Sequence, residues 1–179
     1  MAILYVASEA FELEPFANLL TASRKLKWPI DYAFEGIWEG RRIMLAANGA
    51  GPKLAARAVE VAIRAVTAAE LSSSKLEAVV STGLCGALDP ALRERQIVLA
   101  TEVIDLSNNE SFACTRVLSA RDCVHGQVLS EDRIAHQAAE KTRLFARGGT
   151  AVDMEAAGVV SSMDGSGARE VLAPPPVEV

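Results

Sequence analysis

Aromatic residues, cysteines and histidines are scarce in this chain. Aromatic residues make up only 5% of the sequence although 50% is hydrophobic, so small aliphatic side chains must form most of the core. The three cysteines, Cys85, Cys114 and Cys123, form no CxxC pair and leave an odd count, which supports neither a zinc site nor a disulfide framework. The two histidines, His125 and His136, have no second ligand at metal spacing. We therefore expect reduced thiols in a cytoplasmic protein without a metal or other cofactor.

The chain also lacks an excess of basic residues, a long apolar run and a basic leader. Its net charge of −5 and pI near 5.1 argue against nucleic acid as a partner, because a nucleic-acid surface is normally basic. No apolar run approaches the about 20 residues of a membrane-spanning helix, so we expect no membrane partner. Residues 1–7 have no basic n-region and acids follow by Glu9, which predicts a first strand and not a signal peptide.

Hydrophobic periodicity predicts strands that alternate with helices, which is typical of an α/β domain with a largely parallel sheet. The clearest helix follows the proline at position 52, and the first helix tolerates Pro15 only in its first turn. Ser130, followed by Glu131 and Asp132, has the composition of a helix N-cap. The pattern predicts helices at 13–20, 53–71 and 130–146, and strands at 3–7, 30–38, 42–47, 76–81, 96–104, 111–118 and 127–129.

The end of the chain differs in composition from the rest. Glycines at 165 and 167 precede prolines at 174–176, and such a stretch can form neither a helix nor a central strand. We therefore expect one domain over residues 1–163, followed by a Gly/Pro-rich tail over 164–179 that is disordered or irregular.

Three predicted strand ends carry acids or glycines. Glu12 follows the first strand, Gly83 and Gly86 follow the strand at 76–81, and Asp153 and Glu155 end a β-branched run. In open α/β sheets, ligands bind at the carboxyl ends of the strands. A plainer explanation stays open, because acids are also common in the first turn of a helix, where they interact well with its dipole.

Gly49 and Gly51 lie in a turn that leads into the predicted helix at 53–71. A helix N-terminus behind a glycine turn is a generic anion-binding arrangement. The segment has neither the Gly-Lys-Ser/Thr of a Walker loop nor a full GxGxxG, so a simple connector is the alternative.

Six segments stand out in their order along the chain: VASEAFEL at 6–13, GAG at 49–51, TGLCGALDP at 82–90, QIVLA at 96–100, GQVLSEDR at 126–133 and AVDMEAA at 151–157. Together they resemble the nucleoside phosphorylase and nucleosidase superfamily. The resemblance covers residues 2 to 160 and is closest to the branch of methylthioadenosine/adenosylhomocysteine nucleosidase, futalosine hydrolase and the hopanoid-associated nucleosidase-like proteins. It implies a three-layer α/β/α fold around a mixed, largely parallel sheet, and a homodimer or higher homo-oligomer.

The same resemblance implies cleavage of the N-glycosidic bond of a purine nucleoside, by hydrolysis or by phosphorolysis. Glu12 would activate the nucleophile as general base, and Glu155 would hold the ribose hydroxyls with Met154 beside the sugar. Carboxylates suit this chemistry, because cleavage builds positive charge on the sugar. Gly49 and Gly51 would form a turn near the phosphate or the 5′ group, although no arginine accompanies them. The resemblance assigns the nucleobase to Leu84, Cys85, Gly86, Val152 and Asp153.

The sequence departs from the superfamily pattern after Val160. Members continue into a strand that ends in Arg-x-x-Ser-Asp, whose Asp acts on the purine as general acid. Neither Asp164 nor Arg169 stands in such a motif, which predicts a C-terminally truncated relative. A catalytically impaired remnant that binds nucleosides or purines is therefore the alternative. An unrelated α/β regulatory domain would require all the ordered motifs to be coincidental.

Overall fold

Strands and helices alternate along the described part of the chain, which comprises residues 2–68, 76–115 and 123–163 of this computed structural model. The tail at 164–179, including Asp164, and the predicted segments at 69–71 and 116–118 lie outside the described residues. The helices are α1 (Ala10–Ala17), α2 (Pro52–Ala68), α3 (Ala138–Ala146) and α4 (Ala156–Ser161). The strands are β1 (Ala2–Ala7), β2 (Thr21–Lys25), β3 (Tyr32–Trp38), β4 (Arg41–Ala47), β5 (Leu76–Ser81), β6 (Gly86–Ala87), β7 (Ile97–Asp105), β8 (Ser111–Ala113), β9 (Cys123–Ser130) and β10 (Gly149–Asp153).

Hydrogen bonding arranges these strands in two sheets, of order β2-β3-β4-β1-β5 and β6-β10-β9-β7-β8. In the first sheet β1 pairs parallel with both β4 and the edge strand β5, whereas β2, β3 and β4 pair antiparallel with one another in turn. In the second sheet the middle strand β9 pairs parallel with β10 and β7, and the edge strands β6 and β8 pair antiparallel. The sequence predicted one central sheet, and hydrogen bonding instead divides the strands between two. The prediction of an α/β fold with mixed sheets is confirmed.

Both sheets have helices on their two faces. In β1 the alternating residues Ile3 and Tyr5 pack toward α1, while Leu4 and Val6 pack toward α2. The second sheet repeats this arrangement with α4 on one face and α3 on the other. Period-2 alternation of apolar residues that are buried on both faces therefore builds three layers around each sheet.

Helix α4 connects the two sheets, since it contacts β5 of the first sheet, β7 of the second and α2. The contact with α2 is close at Gly158, where an added Cβ would lie 1.9 Å from the Pro52 carbonyl oxygen. Val159 is completely buried in this contact, which contributes about 2 kcal/mol of hydrophobic stabilisation. Small residues thus let α4 dock at the junction that positions the site.

The prediction for the first helix was wrong in its boundaries. Helix α1 begins at Ala10, so Pro15 lies inside the helix and Glu12 lies in its first turn. Proline removes one helical hydrogen bond, to the carbonyl of Phe11, and Phe11 is 60% exposed, so water can replace the missing donor. Residues 18–20, which were predicted to end this helix, instead connect α1 to β2. Strand β2 itself was not predicted from the sequence.

The helix predicted at 130–146 is also wrong in its first half. Ser130 is the last residue of β9, and α3 begins only at Ala138. Strand β9 starts at Cys123, so it also includes residues that the sequence pattern left irregular. None of the helices in the described ranges has the length and apolar composition that crossing a bilayer requires.

Candidate functional site

The Glu12 carboxylate lies where β1 and β5 end, held by four hydrogen bonds. Its Oε2 accepts from the backbone N–H of Ser8 at 3.1 Å, the Ser8 hydroxyl at 3.0 Å and the backbone N–H of Glu9 at 3.0 Å. Its Oε1 accepts from the backbone N–H of Leu84 at 2.8 Å. The side chain is therefore fixed in one orientation across two strand ends.

Gly83 allows this close approach. Its φ is +150°, and an added Cβ would lie 2.8 Å from Glu12 Oε1. A side chain there would press on the carboxylate while holding a backbone conformation that L-residues rarely adopt. Glycine at this strand end therefore serves the placement of Glu12.

Glu155 lies at the N-terminus of α4, and its Oε1 accepts from the backbone N–H of Gly51 at 2.9 Å. Burial raises the pKa of Glu155 above its usual value, the Gly51 bond opposes this, and the charges of Glu12 and Glu9 raise it further. The Glu12 and Glu155 carboxylates are thus within electrostatic reach of each other. The structure brings together the acids that follow β1 and β10, although these two strands belong to different sheets.

The glycine turn at 49–51 uses both its glycine N–H groups within the protein. Gly49 donates to the Ser8 carbonyl at 2.9 Å, and Gly51 donates to Glu155. The Asp132 carboxylate lies beside the turn, 3.3 Å from where a Cβ on Gly51 would be. These two N–H groups therefore order the protein's own chain and side chains.

Asp153 caps α4 together with Ser130. Its Oδ2 accepts from the backbone N–H of Ala156 at 2.8 Å and that of Glu155 at 3.4 Å. Its Oδ1 is inaccessible to solvent and has no hydrogen-bond partner in the described ranges. Burial raises the pKa of Asp153 to about 6, although the bonds from Ala156 and Ser130 oppose this.

The residues predicted for the nucleobase lie along the antiparallel pair β6–β10, where Gly86 is opposite Val152. Leu84 is 75% exposed, whereas the Val152 side chain is buried in the core between the sheet and α3. Cys85 is exposed as a residue, and partial burial of its thiol, followed by the charge of Asp153, raises its pKa. Met154, which stands between Asp153 and Glu155 in the sequence, is half-buried.

Comparison with known proteins assigns the chain to a protein family. Residues 2–118 match the family model described as the phosphorylase superfamily. The chain belongs to this superfamily. The search of curated proteins found no match to the sequence of this chain.

Solved structures with the same fold include nucleosidases and a futalosine hydrolase. The Neisseria meningitidis 5′-methylthioadenosine/S-adenosylhomocysteine nucleosidase, in complex with methylthio-immucillin-A, has a TM-score of 0.76 and 22% identity, over 90% of this chain and 79% of that one. The Streptococcus pyogenes S-adenosylhomocysteine nucleosidase, in complex with 5-methylthiotubericidin, has a TM-score of 0.80 and 16% identity, over 97% and 81%. A Helicobacter pylori futalosine hydrolase mutant has a TM-score of 0.71 and 17% identity, over 97% and 86%.

Three residues of the site were not predicted as site residues. Ser8 and Gly83 shape the surroundings of Glu12, and both stand in the motifs that resemble the superfamily. Ser130 was interpreted as the cap of a helix that begins elsewhere. Within the described ranges, no three His, Cys, Asp or Glu side chains are grouped so that they could hold a metal ion.

Proposed function

We propose that this superfamily member hydrolyses the N-glycosidic bond of a purine nucleoside, with Glu12 as the general base that activates water. The observation that carries the proposal is the position of Glu12, which is fixed at a strand end beside a second carboxylate, Glu155. The ligands named with two similar folds, methylthio-immucillin-A and adenine, support a purine-type ligand.

The hydrogen bonds of Glu12 leave room for one more donor. A carboxylate offers about four lone-pair positions, two on each oxygen. Three donors already bind Oε2, whereas among the described residues Oε1 accepts one bond, from the N–H of Leu84. A water molecule at the open position of Oε1 would be oriented by a rigid acceptor, as general-base catalysis requires.

Glu155 would bind the ribose hydroxyls, with Met154 beside the sugar. Its Oε1 already accepts from Gly51, so Oε2 would be the oxygen that binds the sugar. Two negative charges next to the sugar stabilise the positive charge that develops as the glycosidic bond breaks. Leu84, Cys85, Gly86 and the backbone of 152–153 would line the nucleobase.

Water suits this site better than phosphate as the nucleophile. The N–H groups of Gly49 and Gly51, which a phosphate would need, already donate to the Ser8 carbonyl and to Glu155. An incoming phosphate would also meet the carboxylates of Glu12, Glu155 and Asp132, and like charges at a few ångströms repel strongly. Hydrolysis avoids both penalties.

The deciding experiment is a panel of purine nucleosides with and without inorganic phosphate, in which the released base and sugar are identified. We expect base and free sugar at the same rate in both buffers. Glu12→Gln should lower kcat about 100-fold or more, the usual contribution of a general base. Glu14→Gln, on the exposed side of the same helix, is the matched control and should retain activity. A sugar phosphate as product would contradict hydrolysis.

A binding protein without turnover is the second candidate. The observation that favours it is the segment SSMDGSG at 161–167, which stands after Val160 where the resemblance implies a strand leading to Arg-x-x-Ser-Asp and its general acid. In that case a nucleoside at 100 times its dissociation constant should stabilise the fold by about 2.7 kcal/mol, while no base is released at high enzyme concentration.

We also propose that the protein is a homo-oligomer of the cytoplasm. Exposed apolar side chains next to the site, Phe11 at 60%, Leu54 at 42% and Leu84 at 75%, support burial by a second copy. The free thiols of Cys85, Cys114 and Cys123 suit a reducing compartment. Sedimentation equilibrium should give a mass of at least twice the 19.0 kDa of the chain, and a monomer at micromolar concentration would contradict the first part.

A further inference from the structure

Two neighbouring strand ends meet the N-terminus of α4 from one side. Strand β9 ends at Ser130 and β10 ends at Asp153, and these two residues are paired in the parallel register. Paired residues on adjacent strands point to the same face of a sheet. Their side chains therefore both face the start of α4.

Together the two side chains bind the first backbone N–H groups of α4. Asp153 Oδ2 accepts from Ala156 and, at longer range, from Glu155, while Ser130 Oγ accepts from Ala157 at 3.1 Å. These N–H groups have no partner inside the helix, so the strand ends supply the acceptors that α4 lacks.

The polar atoms of this pair are engaged in the cap or enclosed. Ser130 is only 2% exposed, and Asp153 Oδ1, which has no hydrogen-bond partner among the described residues, is inaccessible to solvent. What the cap does fix is the peptide of Glu155, whose carboxylate reaches across to the N–H of Gly51. The position of that carboxylate therefore depends on where the cap holds α4.

We propose that Ser130 and Asp153 are positioning residues, which set the Glu155 carboxylate beside the ribose site by capping α4 from two strands. The inference rests on the proposed function, because it concerns the sugar-binding residue of that site. It gives Asp153 a role through its side chain in addition to its backbone. Loss of the cap should weaken recognition of the sugar and leave recognition of the base intact.

The test compares two ligands in Ser130→Ala: adenine, and the C-nucleoside of 9-deazaadenine, whose carbon–carbon glycosidic bond cannot be hydrolysed. The loss of one helix cap corresponds to a change of about tenfold in an equilibrium constant, here the dissociation constant of the ligand that Glu155 binds. We expect the C-nucleoside to bind about tenfold more weakly and adenine to bind as in the wild type. Ser162→Ala, which removes a hydroxyl bond to the Gly158 carbonyl in the same helix, is the matched control and should change neither.

Asp153 gives a second pair of variants in case Ser130→Ala does not fold. Asp153→Ala removes the acceptor of Ala156 and should reproduce the tenfold loss for the C-nucleoside, whereas Asp153→Asn keeps an oxygen there and should rescue most of it. An equal loss for adenine and the C-nucleoside, or no loss for either, would overturn the positioning role.

Hydrogen exchange separates this inference from the proposed function. The N–H of Gly51 is protected by Glu155, so its exchange should be faster in Ser130→Ala and unchanged in Ser162→Ala, even without a ligand. If the wild-type chain binds no nucleoside, the proposed function is wrong, and exchange at Gly51 still decides the positioning role. Unchanged exchange at Gly51 in Ser130→Ala would overturn it.

Discussion

The Glu12 carboxylate accepts a hydrogen bond from the backbone N–H of Leu84 at 2.8 Å, although 72 residues separate the two in the chain. The bond joins the first turn of α1 to the segment that follows β5. It depends on Gly83, because only a residue without a side chain leaves space for the carboxylate at this point. The geometry of the proposed base is therefore controlled by a residue that takes no part in the chemistry.

Gly83→Ala should impair catalysis more than stability. The added Cβ would displace Glu12 Oε1, and a misplacement of the order of 1 Å can lower the rate about 100-fold. Gly40→Ala is the matched control, since Gly40 also has positive φ but has nothing within 4 Å of an added Cβ. Both variants should lose about 1 kcal/mol of unfolding free energy, while only Gly83→Ala loses activity. Equal kcat values for the two variants would contradict this account of Gly83.

Glu35→Gln should destabilise the first sheet. Glu35 is 6% exposed on β3 and binds Arg24 at 2.6 Å and Arg42 at 2.9 Å from the two neighbouring strands. Removing its charge leaves the largely buried Arg42 without a counter-ion, which we expect to cost about 2–3 kcal/mol in urea denaturation. Glu77→Gln, which breaks the exposed pair with Arg41, should cost less than about 1 kcal/mol. Similar losses in the two variants would refute the difference in burial as the cause.

The same ion cluster predicts a pH dependence. Burial alone would raise the pKa of Glu35, but the hydrogen bonds and charges of Arg42 and Arg24 bring it below its ordinary 4.5. Because the folded-state pKa is the lower one, the stabilisation is complete above pH 4.5 and is lost as the pH falls through the folded-state pKa. The difference in unfolding free energy between wild type and Glu35→Gln should therefore be constant near pH 7 and shrink in acid.

The raised pKa of Asp153 predicts a pH dependence of stability with the opposite sign and in a different pH range. Its pKa is raised from 3.8 to about 6, chiefly by burial, so folding favours its protonated form. This contribution is complete below pH 3.8 and is lost as the pH rises through 6. Asp153→Asn lacks the charge, so its stability relative to wild type should increase by up to about 3 kcal/mol between pH 4 and pH 7. Parallel stability curves for the two proteins would show that the carboxyl does not titrate in this way.

Sequence patterns predicted the strand ends well, because a buried strand in an α/β fold leaves a strong apolar signal. The rule that parallel strands end at one edge predicts that Glu12 and Glu155 lie close together, and the two carboxylates are within electrostatic reach of each other although their strands belong to different sheets. What the sequence could not show is which backbone N–H groups donate hydrogen bonds to these two carboxylates. The N–H of Gly51 is used by a carboxylate 104 residues away, and no local pattern indicates such a bond.

Two errors in the fold predicted from the sequence have the same physical origin. Ser130 has the chemistry of a helix cap and does cap a helix, but that helix is α4, 27 residues further along the chain. Strand β2 is fully exposed and has the polar sequence TASRK, so neither alternation nor burial marks it. In both cases tertiary contacts decide what local sequence leaves open.

The division into two sheets has a consequence for how the protein is made. All strands of the first sheet lie within residues 2–81, and all strands of the second lie within residues 86–153. Each sheet can therefore form from one contiguous stretch as the chain leaves the ribosome, N-terminal half first. Glu12 belongs to the first stretch and Glu155 to the second, so neither half has a site alone. Ligand binding during refolding would thus report the moment at which the two halves dock.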